Sequence, residues 1–132
     1  MSIFACWENG GQATVPAGST VTFQGGWADS NLGLIKNFLN DVTVTASVNG
    51  TQIANANSYW SAPEVFTPEP GVTAWATFWT YPTGITLSTG QSLTFTTDWV
   101  LSHPVVTLLG GRAMIPAGSL FGGPISCTVT GT

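Results

Sequence analysis

From Val42 to Val48 every second residue is apolar: Val42, Val44, Ala46 and Val48 alternate with Thr43, Thr45 and Ser47. A period of two puts alternate side chains on opposite faces, so the segment reads as a strand with one buried face. It runs straight into Asn49-Gly50. Both residues accept positive φ, which a type I′ turn needs at its two central positions. A hairpin returning over Thr51 to Ala56 is therefore expected.

The same period recurs along the chain. Leu93, Phe95, Thr97, Trp99 and Leu101 share one face, with Ser92, Thr94, Thr96 and Asp98 opposite and Pro104 beyond the end. In Thr73 to Tyr81, Trp75, Thr77, Trp79 and Tyr81 face together, and Pro82-Thr83-Gly84 is expected to break the strand. A last strand is expected over Ile125 to Thr130, with Cys127 and Val129 at alternate positions. Pro63 to Gly71 holds three prolines and reads as an irregular loop. One stretch has a different period. In Ser30 to Asp41, Leu32, Ile35 and Phe38/Leu39 recur at helical spacing. Asp29 or Ser30 is the expected cap, and Gly33 weakens the helix by ~1 kcal/mol relative to Ala. Short strands with frequent turn signals and one helical insertion predict an all-β, antiparallel, immunoglobulin-like sandwich. A closed β-barrel or jelly roll is the alternative. A length of 132 residues fits a single domain spanning 1–132.

One short motif repeats. Val15 to Phe23 reads VPAGSTVTF and Leu87 to Phe95 reads LSTGQSLTF, while Ile115 to Phe121, IPAGSLF, repeats only its first part. In the two full copies an apolar residue ends one segment, Gly18 or Gly90 permits the reversal, and an alternating strand follows. The third copy runs into Gly122-Gly123-Pro124 and cannot continue as the same strand. The full copies resemble the Gly-x-Ser/Thr-apolar-Thr-apolar strand starts of bacterial immunoglobulin-like modules, including adhesion-related domains of surface proteins. That resemblance implies a two-sheet sandwich, usually non-enzymatic and set within larger extracellular chains. It carries over no ligand residues.

Charge excludes several partners. Only 6% of residues are charged, against ~25% in an ordinary soluble domain. Lys36 and Arg112 are the only bases. Two cations cannot track a phosphate backbone, so nucleic acid is not an expected partner. They cannot form a polybasic membrane patch, and no apolar run reaches the ~20 residues of a spanning helix. Met1-Ser2-Ile3-Phe4 is too short for a signal peptide. A surface solvated by hydroxyls and amides suits an extracellular or cell-surface protein, with a virion or filament as the alternative. Cys6 and Cys127 lie near the two ends, and a bridge between them is expected, since the first and last strands of a sandwich are often neighbours. Two buried thiols are the other reading.

Catalytic patterns are absent from the sequence. His103 is the sole histidine and has no nucleophile elbow to serve. The six acids are scattered, and no pair stands out for glycoside hydrolysis. No cofactor is expected. Asp29, Asn31 and Asp41 flank the helical stretch and are weak calcium candidates, although a helix cap explains them as well. Six tryptophans are many for this length. Most are expected in the core. Tyr59, Trp60, Trp75 and Trp79 are the candidates for stacking against a sugar. The function expected is a non-catalytic extracellular module for surface display, adhesion or carbohydrate contact, with a glycan or protein partner. The alternative is a self-assembling structural subunit, a homo-oligomer such as a filament or capsid decoration protein.

Overall fold

The computed structural model describes residues 2–4 and 10–132. In chain order these form β1 (Ser2–Phe4), β2 (Gln12–Val15), β3 (Ser19–Asp29), α1 (Leu32–Asp41), β4 (Val42–Val48) and β5 (Thr51–Gln52). One turn of 3₁₀ helix spans Ala56–Tyr59. Then come β6 (Glu64–Glu69), β7 (Val72–Leu87), β8 (Ser92–Leu101), β9 (Val105–Thr107), β10 (Ala113–Ile115), β11 (Gly118–Ser119) and β12 (Ile125–Gly131).

Two sheets pack face to face. The first has the order β1-β3-β7-β6; the second runs β2-β12-β8-β4-β5, with β11 joined to β8. Strands β9 and β10 pair as a separate hairpin. The orders β1-β3-β7-β6 and β4-β8-β12 match the ABED and CFG sheets of an immunoglobulin-type sandwich. The pairing is mostly antiparallel, but β1 runs parallel to β3 and β2 parallel to β12.

Alternation decides which residues enter the core. Val42, Val44 and Ala46 of β4 are buried, as are Leu93, Phe95, Thr97, Trp99 and Leu101 of β8, and Cys127 and Val129 of β12. The first sheet answers with Val21, Phe23, Trp79 and Leu87. Phe23 stacks on Phe95 across the gap, ring centroids 4.2 Å apart. On the outer face of the second sheet the partners are hydroxyls. Ser92 meets Thr130 at 3.1 Å, Thr94 meets Thr128 at 3.1 Å and Thr96 meets Ser126 at 2.9 Å.

The repeated motif is one turn built twice. Ser19 N–H donates to Pro16 C=O and Gln91 N–H to Ser88 C=O, at 3.1 and 3.0 Å. Gly18 and Gly90, at φ 88° and 81°, occupy the same place in each turn. A side chain with Cβ disfavours that conformation. In the partial copy Ile115 ends β10, and the strand that follows is only the two residues of β11.

Four local expectations are corrected. The helix starts at Leu32 and is capped by Asn31, whose Oδ1 accepts Leu34 N–H at 3.0 Å. Asp29 cannot be the cap, because it ends β3 with its side chain fully buried. The return strand of the Asn49-Gly50 hairpin is only Thr51–Gln52, since the chain then turns into the 3₁₀ helix. The Pro63 to Gly71 segment is not a loop: β6 pairs with β7, with an irregularity between Phe66 and Glu69. Pro68 is tolerated there because β6 is an edge strand. Finally, β7 continues through Pro82, as the partner register skips from Thr86 to Pro82 opposite Thr20 and Thr22. Thr83 Oγ1 bridges this irregularity, donating to Val21 C=O at 2.7 Å and accepting Ile85 N–H at 3.0 Å.

Candidate functional site

The 3₁₀ turn after the β4–β5 hairpin brings Tyr59 against β7. Its ring stands edge-on to Tyr81, centroids 5.0 Å apart and planes at 89°. Trp79 lies behind both, 6.1 Å from each. Three hydrogen bonds tie the turn down. Trp79 Nε1–H donates to Ala56 C=O at 2.7 Å. Asn57 bridges to β4, accepting Val44 N–H at 2.8 Å and donating to Val42 C=O at 3.0 Å.

In front of the two tyrosines opens a groove of about 550 Å³. Val48, Asn49, Thr51, Gln52, Ile53 and Ala54 form one wall, and Tyr59, Tyr81, Thr83 and Ile85 the other. The volume lies in the range of small-molecule sites. Asn49 Oδ1 is used up locally, accepting Thr94 N–H at 2.9 Å. The phenol hydroxyls of Tyr59 and Tyr81 and the amide of Gln52 make no hydrogen bond to a described residue. The groove thus presents perpendicular aromatic faces beside uncommitted neutral donors and acceptors, and no charged side chain lines it. Such a lining can hold a neutral amphipathic ring against the aromatic surface while bonding its hydroxyls.

The expected aromatic candidates separate in space. Tyr59 lines the groove. Trp79 is only 1% exposed and cannot offer its face to a ligand. Trp60 packs inward, edge-on to Phe38 at 5.4 Å and to Trp99 at 4.9 Å. Its indole N–H is enclosed. Trp75 is half-buried and pairs across the sheet with Val65 and Asp29. Six residues along an extended strand separate it from Tyr81, about 20 Å. Tyr81, Asn49 and Gln52 were not sequence candidates. Tyr81 shares the alternating face of Trp79, but nothing local shows that its end of β7 is left open.

The residues considered for calcium do not converge. Asp29 and Asn31 precede α1 and Asp41 ends it, so the helix holds them roughly 15 Å apart. Asp29 Oδ1 accepts the N–H groups of Ser30, Leu108 and Leu109 at 2.8, 2.9 and 3.2 Å. Its carboxylate positions the loop after β9. Among the described residues no group of three His, Cys, Asp or Glu side chains gathers. Cys127 is fully buried opposite Phe95; Cys6 lies outside the described residues.

The fold does assemble Asp41, Ser102 and His103. His103 Nδ1 lies 3.2 Å from Asp41 Oδ1 and 3.1 Å from Ser102 Oγ, and Ser102 Oγ donates to Asp41 Oδ1 at 3.3 Å. A hydrolytic relay needs serine and aspartate on opposite ring nitrogens. Here both share Nδ1, and the imidazole is 76% exposed. The triangle ties the end of α1 to the end of β8.

Comparison with known proteins finds no matching family model, no similar curated protein and no similar solved structure. No helix among the described residues is long and apolar enough to cross a membrane.

Proposed function

We propose that the chain is a non-catalytic, immunoglobulin-like module of extracellular type that contacts carbohydrate through the Tyr59–Tyr81 groove. One observation carries the reading: two perpendicular, half-buried tyrosines whose hydroxyls have no partner among the described residues line a neutral cavity. The repeated strand starts and the strand order favour the resemblance to bacterial surface modules. A Cys6–Cys127 bridge belongs to the same reading, because such a bond persists outside the reducing cytosol. The test is a glycan array followed by titration of any hit against Tyr59→Ala. Binding by the parent and at least a ten-fold loss in the variant is expected. Equal binding by both would remove the groove from the reading.

A second reading, a self-assembling subunit, draws on a different surface. Leu108, Leu109 and Met114 of the β9–β10 hairpin are 40%, 37% and 60% exposed. Apolar residues gathered at a hairpin suit an interface between copies. Light scattering at high protein concentration tests it, and a strict monomer would sink it.

A further inference from the structure

A second concavity lies on the outer face of the second sheet, with a volume of about 260 Å³. Thr45, Ser47, Thr96 and Asp98 form its floor, and Pro124 stands at its margin. Gln52 lines this concavity and the tyrosine groove alike. It sits on β5, the edge strand of that sheet, paired to Ser47. The two depressions therefore meet over one exposed side chain at the sheet edge.

Their chemistry is complementary. The tyrosine groove supplies aromatic faces. The outer concavity supplies hydroxyls and one carboxylate. Asp98 Oδ1 accepts from Ser119 Oγ at 2.6 Å, and Oδ2 has no partner among the described residues. An ionised carboxylate oxygen is the strongest kind of acceptor for a ligand hydroxyl. Thr45 carries an exposed hydroxyl beside it. Lys36, on α1, and Arg112, on the β9–β10 loop, line neither depression. A chain of uronates or sulfated sugars would meet Asp98 with no cation to offset the repulsion.

We infer that the two depressions form one extended site, crossing the β5 edge at Gln52, for a neutral oligosaccharide of several units. This rests on the carbohydrate reading above. One end of the chain packs on Tyr59 and Tyr81, Gln52 bonds its middle, and Asp98 and Thr45 accept hydroxyls from units further along. Acidic glycans are selected against.

The experiment is calorimetric titration with cello-, xylo-, malto- and chito-oligosaccharides, each as dimer and hexamer, with a polyuronate oligomer as the charged control. In the series that binds, the hexamer is expected to bind at least ten-fold tighter than the dimer, and the polyuronate weaker than either. Thr45→Val keeps the β-branched shape on an exposed position, so it tests the far end without threatening the fold. Thr45→Val and Asp98→Ala are each expected to weaken the hexamer about five-fold and to leave the dimer unchanged, whereas Tyr59→Ala weakens both. Equal affinity of dimer and hexamer, or a hexamer indifferent to both far-end variants, overturns the extended site and leaves the tyrosine groove standing. No binding by any neutral series overturns both.

Discussion

Trp79 Nε1–H donates to the backbone carbonyl of Ala56, 2.7 Å away and 23 residues earlier in the chain. The bond joins a fully buried tryptophan of the core to the 3₁₀ turn that presents Tyr59. A core residue thus holds one wall of the candidate groove. Trp79→Phe keeps most of the buried area but leaves the Ala56 carbonyl without its donor. A loss of about 1–3 kcal/mol in urea unfolding is expected, with weaker glycan binding, because the turn is no longer pinned. Unchanged stability would show that the bond contributes nothing net.

Asp29 is fully buried and its Oδ1 accepts the N–H groups of Leu108 and Leu109. Asp29→Ala strands those donors. The expected result is a stability loss of at least about 2 kcal/mol and faster amide exchange at Leu108 and Leu109. Asp29→Asn retains an acceptor and should protect those two amides better than alanine does. Equal exchange in both variants would count against the anchoring role.

Gly25 has no room for a side chain. A Cβ there would lie 2.7 Å from the Trp99 ring. Gly25→Ala must displace a 5% exposed indole, which overpacks the core by about 1–3 kcal/mol. A lower unfolding midpoint and a shifted tryptophan emission are the expected readouts.

The Asn49-Gly50 turn has φ values of 51° and 83°. Gly50→Ala is expected to cost about 1–2 kcal/mol, since Cβ disfavours the left-handed region. Asn49→Ala also removes the acceptor for Thr94 N–H, and its cost adds an unpaired amide on β8. Denaturation curves of the two single variants check both.

Thiol titration of the unfolded, unreduced protein is expected to find no reactive cysteine. Reduction should then destabilise the fold by about 4–5 kcal/mol in the chain-entropy picture, because the loop from Cys6 to Cys127 is long. Two reactive thiols would end the bridge proposal.

Much of the architecture was legible because it is local. Alternation alone places Val44 and Phe95 inside and Thr45 and Thr96 outside, since strand geometry sends successive side chains to opposite faces. Asn49-Gly50 and the repeated Gly18 and Gly90 turns are local for the same reason: their backbone angles are choices of one or two residues. The misread segments are those where a distant partner overrides local preference. Pro68 sits in a strand because β6 has a free edge, and β7 passes Pro82 because Thr83 bridges the irregularity from 62 positions away. Local sequence does not contain either partner.

The candidate site shows the same division. Tyr59 beside a proline-rich segment could be suspected from sequence. That Trp60 next to it turns inward could not, because its environment is made by Phe38 and Trp99 from α1 and β8. By itself the sequence determined a β-sandwich with one short helix, a surface nearly free of charge and a core rich in aromatic rings. Only the tertiary structure decided which rings reach solvent. Exposure is set by what packs on the other side of a ring, and for Trp60 that is Phe38 and Trp99, residues far away along the chain.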